Sequence, residues 1–141
     1  MALEDYQADA ERCSRCSYCK FIPFAHVKSW RFSKGCPSIE YNKFQSYSAC
    51  GRLVAALSLL EDRISYTDRL LDIVDKCQMC GACDVACKVC RYNMEPLEAM
   101  LELRAKLVED GQLLPQHMPV IDSLRKEDIL QWLRLVWYPL L

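Results

Sequence analysis

The chain has 141 residues, 52% hydrophobic and 26% charged, with a formal net charge of −1. That length fits one domain able to bury its own core without cross-links. The composition excludes a disordered chain, and the near-neutral charge excludes nucleic acid as the main partner, because no positive excess exists to neutralise phosphates.

The first ten residues are polar and acidic and contain no apolar signal core, so a cytoplasmic chain is expected. No apolar run reaches the roughly 20 residues that span a bilayer, so no transmembrane segment is expected. Against that background the chain holds ten cysteines. Disulfides persist mainly after export, so this many thiols in a cytoplasmic chain point to metal.

Residues 12–36 carry the first cysteine group in an irregular, aromatic-rich stretch. It reads Cys13-x2-Cys16-x2-Cys19, with a further cysteine displaced to Cys36 and followed by Pro37. Residues 37–90 hold two expected helices and the second cysteine group. Leu53, Ala56, Leu57 and Leu60 recur at helical spacing. Ser65 to Asp68 reads as an N-cap with an acidic first turn, and Leu70, Ile73, Val74 and Cys77 continue one stripe, placing Cys77 at a helix end.

The second group, Cys77-x2-Cys80-Gly81-x-Cys83-x3-Cys87, has the spacing of bacterial ferredoxins. Three thiolates two residues apart on a tight loop wrap three corners of an iron–sulfur cubane. The fourth in such a run points to the other cluster of a two-cluster protein. Gly81 suits the turn because it lacks a Cβ. Two [4Fe–4S] clusters with crossed fourth ligands are therefore expected. Cys13, Cys16, Cys19 and Cys87 hold the first, and Cys77, Cys80, Cys83 and Cys36 the second.

Beyond the cysteines, Asn93 is the expected N-cap of a helix with Pro96 in its first turn. Leu97, Met100, Leu101, Leu103, Leu107 and Val108 form its apolar side, and Gly111 is its stop. The last segment, Ile121 to Tyr138, reads as one or two helices. The fold class is thus mostly α, with loops around the metal. Residues 1–112 form the two-cluster unit and 113–141 a C-terminal helical docking segment. In that segment Ile129, Leu130, Trp132, Leu133, Leu135, Val136, Trp137 and Tyr138 crowd together with only Gln131 and Arg134 polar between them.

Zinc competes with clusters for this pattern, but structural zinc usually joins two separated Cys pairs, often with His. Two triplets leave a tetrahedral ion seeking a distant fourth ligand, and neither His26 nor His117 lies in a Cys-x2-His pair. Neither histidine has a recognisable catalytic partner. Cys50 and Cys90 remain over as buried thiols. Because Lys88 and not Pro follows Cys87, Cys90 is the alternative fourth ligand, and Cys50 is placed to contact a cluster edge. Arg12, Arg15, Lys20, Lys76, Lys88 and Arg91 flank the groups. Collectively they are expected to raise cluster potentials and orient partners. Tyr18, Phe21, Phe24, Trp30, Phe32, Tyr41 and Tyr47 read as core and cluster shielding. No phosphate-binding glycine loop occurs.

At these motifs, with Cys36-Pro37 and the helix end Leu103–Gly111, the sequence resembles the α-helical ferredoxin domain of the heterodisulfide reductase and Fe–S oxidoreductase type, over roughly residues 10–112. The resemblance implies an electron relay between a flavin or ferredoxin donor and the catalytic subunit of an anaerobic oxidoreductase complex. Its partners would be catalytic or flavin-containing oxidoreductase subunits. The Cys-Cys-Gly motifs of the larger members are missing here. A cluster-bearing redox sensor or structural module is the alternative.

Overall fold

The computed structural model describes residues 2–22, 24–90 and 93–127, with the backbone alone at Phe24, Cys90, Arg125 and Glu127. Helices dominate. Among the described residues there is no strand, only an isolated antiparallel bridge between Phe21 and Lys34. The mostly-α expectation holds.

A 3-10 turn, Leu3–Tyr6, runs into α1 (Gln7–Arg12). The short helices α2 (Phe24–Val27) and α3 (Pro37–Asn42) follow, then a 3-10 turn at Gln45–Tyr47 and the central helix α4 (Ala49–Leu60). The second half holds α5 (Asp68–Asp75), α6 (Ala82–Cys90), α7 (Pro96–Glu109) and α8 (Met118–Glu127). Residues 37–90 therefore carry α3 to α6, more than the two helices expected. The extra ones are short, and α6 is built partly from cysteine-motif residues that the loop reading of the second group had claimed.

Helix α4 organises the core because it is apolar on most of its circumference. Leu53, Ala56, Leu57 and Leu59 are buried, and the helix packs on α1, α5, α7 and the 45–47 turn. Ser48 caps it: the Ser48 hydroxyl accepts from Gly51 N at 3.2 Å and donates to Gln45 O at 2.7 Å. Helix α5 is capped by Thr67, inside the expected window, with its hydroxyl accepting from Leu70 N at 3.2 Å.

Helix α7 corrects one expectation. Its N-cap is Glu95, not Asn93, and Asn93 sits in the left-handed region with φ 54°. Pro96 takes the first helical position, where the missing N–H costs nothing. The buried face is Ala99, Met100, Leu103 and Leu107, whereas Leu101 and Val108 are exposed. The stop at Gly111 holds, with φ 69°.

Residues 112–117 fold back so that Leu114 packs on the core and His117 Nε2 stands 3.3 Å from Asp75 Oδ1. Helix α8 begins at Met118, three residues before the expected Ile121. The apolar stretch from Ile129 onward lies outside the described residues.

The shielding role assigned to the aromatics fails for most of them. Tyr47 is buried, but Trp30, Phe32 and Tyr41 are 72%, 66% and 84% exposed. For Trp30 and Phe32 the reason is topological: they lie on the excursion closed by the Phe21–Lys34 bridge, away from the buried core among the described residues, whereas Tyr41 sits on the exposed side of α3. The side chain of Phe24 lies outside the described residues.

Candidate metal centre

The two cysteine triplets share one backbone conformation. In the second, Met79 and Gly81 have φ 50° and 74°. In the first, Arg15 and Ser17, sixty-four positions earlier, have φ 55° and 72°. The turn that follows repeats as well: Lys20 N donates to Ser17 O at 2.9 Å, and Asp84 N to Gly81 O at 3.0 Å. Left-handed residues between successive cysteines reverse the local chain direction, which is how a short loop turns its thiols to one side. Gly adopts this geometry at no steric cost, whereas Arg15, Ser17 and Met79 hold it against a penalty of about 1 kcal/mol each.

After the common turn the copies diverge. The second continues directly into α6, which carries Cys83 and Cys87. These two are therefore helical residues, not members of an extended cysteine loop. One turn apart, they lie on the same face about 6 Å along the axis. The first copy instead runs into the 21–34 excursion. Lys20 O closes its base by accepting from Gly35 N at 2.9 Å and Cys36 N at 3.2 Å. Cys36 is thereby returned beside Lys20 despite its distance in sequence, and Pro37 starts α3 immediately after it.

The consequence is a shared hollow. Cys36, Cys77, Cys80 and Cys83 line one cavity, together with Arg52, Met79 and Leu97. Cys36, Cys77 and Cys83 are half-buried and Cys80 is exposed. Arg104 holds the approach to Cys77: its Nη2 donates to Asp75 O at 2.6 Å and Cys77 O at 2.7 Å, finishing α5 where the motif begins.

Cys13, Cys19 and Cys87 are buried and belong to one core cluster, and Cys16 is half-buried beside them. The Cys87 thiol is pushed up to about 11 by burial and by its neighbours Cys13, Cys16, Asp84 and Asp9. Burial raises Cys13 too, and Cys83 is pushed up to about 12 by burial first and then by Cys77, Asp84, Cys80 and Cys87. Packed thiols resist ionising together because each thiolate repels the next. Bound iron would supply the positive charge that reverses this balance.

The donor set suits a polynuclear iron–sulfur group. It consists of soft thiols in two neighbourhoods, and among the described residues no three His, Cys, Asp or Glu converge on a single-ion site. Tetrahedral zinc would need four ligand atoms within about 2.0–2.3 Å of one point.

Cys50 stands at the edge of the first neighbourhood. Gln45 Nε2 donates to its sulfur at 2.6 Å, and Ser48 Oγ lies 3.1 Å away. Its thiol is held well below the usual range, chiefly by a hydrogen bond from Cys19, and Cys19 is raised in return. The Cys90 side chain and Arg91 lie outside the described residues.

The flanking cations are mostly engaged. Arg12 pairs with Asp9, Lys76 with Asp72 at 2.9 Å, and Lys88 with Asp84 at 2.9 Å and Glu95 at 3.3 Å. Lys20 donates to Gln45 Oε1 at 2.7 Å. The residue that sequence reasoning missed is Arg52, 1% exposed and bordering the second hollow. A signal for it existed: it shares the buried stripe of α4 with Ala49 and Ala56, where a charge must be there for a reason.

Beside Cys19 lies an open, apolar hollow of about 510 Å³ between Phe21, Ile22 and the outer face of α6 at Val85, Ala86 and Val89. Tyr18 and Phe21 stack there with ring centroids 6.5 Å apart.

A family model described as a 4Fe-4S dicluster domain matches residues 9–90. No curated protein and no solved structure matches the chain.

Proposed function

The chain belongs to the 4Fe-4S dicluster domain family, and from that membership we propose that it relays single electrons as the iron–sulfur subunit of a larger oxidoreductase. When bound, such clusters supply one-electron carriers whose potentials respond to nearby charge and hydrogen bonds. The chain's residues do the holding. Cys13, Cys16, Cys19 and Cys87 are the ligands of the first cluster, and Cys36, Cys77, Cys80 and Cys83 those of the second. The observation that carries the reading is the helix α6, which contributes Cys83 to one set and Cys87 to the other a single turn away. Two carriers joined by one helical turn form a wire, whereas a structural metal needs no second site so near.

The finer reading is a relay of the heterodisulfide reductase type in the cytoplasm, passing electrons from a flavin or ferredoxin donor to a catalytic subunit. Its support is the cysteine pattern, and the open apolar hollow at Cys19 is where a partner would approach the first site. No described helix is long and apolar enough to cross a membrane.

Anaerobic purification with iron and sulfide analysis tests the proposal. About eight of each per chain is expected for two full cubanes. Stoichiometric zinc without sulfide would end the cluster reading. Cys36→Ala then tests the crossing: it should disturb the cluster of the 77–83 triplet and spare that of the 13–19 triplet. A reductive titration with the co-purifying partner present separates a relay from a sensor, because only a relay's clusters cycle with the partner's turnover.

A further inference from the structure

The guanidinium of Arg52 is buried, yet no carboxylate pairs with it among the described residues. Its Nε donates to Ile73 O at 2.7 Å, its Nη1 to Tyr47 O at 2.5 Å and its Nη2 to Ser38 Oγ at 2.8 Å. These acceptors are neutral. They satisfy the N–H groups but leave a full positive charge inside the protein, which is costly unless an anion faces it. The groups that face it are sulfurs: Arg52 lines the same hollow as Cys36, Cys77, Cys80 and Cys83. Burial pulls the guanidinium below its usual range, and Cys77, Cys36 and Cys83 act the other way. Arg104, the other cation near Arg52, holds the Cys77 carbonyl.

Among the described residues the first site has no buried counterpart. The described cations flanking it are Arg12 and Lys88, both paired with carboxylates, Arg15, which is exposed, and Lys20, which is half-buried and donates to Gln45. The ionisable groups facing Cys87 besides thiols are the carboxylates of Asp84 and Asp9. Asp84 also faces Cys83, so its effect falls on both sites, and Lys88 offsets part of it. Exposed cations are screened by water and salt, whereas a buried one is not.

We propose that Arg52 is the built-in countercharge of the site formed by Cys36, Cys77, Cys80 and Cys83, and that it makes this site the higher-potential one of the pair. The inference rests on the two-cluster reading and adds a direction to it: between the two sites the electron moves from the Cys13/Cys16/Cys19/Cys87 site to the one beside Arg52. The step is a transfer of one electron between the two sites. No bond forms or breaks and no proton moves. The reductant is any one-electron donor, dithionite in the test. A cubane with four thiolates goes from about −2 to about −3 on reduction, so a fixed cation favours the reduced form.

The experiment is an anaerobic redox titration of the holoprotein followed by electron paramagnetic resonance. Iron content is measured first, and well under eight irons per chain in the wild type ends both readings. Two resolved potentials are expected. Arg52→Gln should lower the higher one enough to reduce the equilibrium constant for transfer between the sites at least tenfold, about 59 mV, leaving the lower one in place. Arg52→Lys should restore most of the difference, which a purely structural role would not do because lysine loses the three-way hydrogen bonding. A neutral variant that shifts both potentials equally, or neither, overturns the proposal. Should the Arg52 variants fail to load iron, Cys36→Ser decides. Whether that variant shifts or loses a cluster, the affected signal must be the higher-potential one, and loss of the lower-potential signal refutes the inference.

Discussion

Replacing Gly51 by alanine sets two physical effects of opposite sign against each other. Gly51 is the third residue of α4, and alanine in a helix is ordinarily better than glycine by about 0.5–1 kcal/mol. A Cβ here, however, would lie 2.3 Å from Gln45 O and 2.7 Å from Ser46 Cα, both backbone atoms that cannot rotate aside. The 45–47 turn would have to retreat by about 1 Å to reach normal contact. That turn supplies the Gln45 carbonyl that receives the Ser48 hydroxyl, so the N-cap of α4 moves with it. Forced overpacking costs about 1–3 kcal/mol and a lost cap about 1 kcal/mol more. The clash wins, and Gly51→Ala should destabilise the holoprotein by about 1–3 kcal/mol. Anaerobic urea unfolding followed by far-UV circular dichroism reads this as a lower midpoint at unchanged slope. An equal or higher midpoint would refute the reasoning, because it would mean that α4 and the turn are not held at the separation described.

Three further outcomes are expected. Ser17→Gly should raise stability by about 1 kcal/mol in the same urea assay, because Ser17 occupies the left-handed position that Gly81 fills in the other triplet; a loss would show that the hydroxyl matters more than the backbone. Cys50→Ala should keep the full iron and sulfide count while costing about 1 kcal/mol for its hydrogen bonds, and a drop by half in iron would make Cys50 a ligand. Deleting residues 127–141 should leave iron loading intact and weaken retention of a co-purifying partner; loss of folding on deletion would instead assign that apolar tail to the core.

Much of the site was legible because cluster chemistry is written in local spacing. Two x2 triplets name six thiols without any knowledge of the fold. Cys36 was legible only through Pro37 and through analogy with an uninterrupted run, since nothing in residues 20–35 shows that Lys20 O will pin both ends of the excursion. The helices with a long apolar stripe, α4, α5 and α7, were equally legible, their burial being periodic. The short ones were not. Helices α1 and α3 have six residues each and α2 four, too few turns to show a period. Helix α6 was hidden for another reason: its cysteines had already been read as ligands, and a motif read for chemistry masks the helical i, i+4 relation of Cys83 and Cys87. The aromatics misled because large apolar side chains are not all interior, and Trp30 and Phe32 stand exposed among the described residues.

The proposed crossed ligation would tie the two halves of the motif into one mechanical unit. The first triplet would depend on α6 for Cys87, and the second on Cys36, whose N–H is held by the carbonyl of Lys20, next to Cys19. Under that pairing each site would borrow its fourth thiol from the segment that builds the other. Helix α6 is anchored from outside by Leu97 N donating to Asp84 Oδ1 at 3.0 Å and by the Lys88–Glu95 pair at 3.3 Å, and α1 is joined to the start of α7 by Glu95 N donating to Asp9 Oδ2 at 2.8 Å. Asp9 and Asp84 thus place Cys87 between two segments whose positions are set far along the chain. Such an arrangement explains why a long insertion between Cys19 and Cys36 is tolerated. Loop length adds little entropy once the ends are pinned, and the ends here are pinned at the one carbonyl that both sites share. An insertion within α6 would have no such freedom, because a single added residue rotates Cys87 by about 100° away from the face it shares with Cys83.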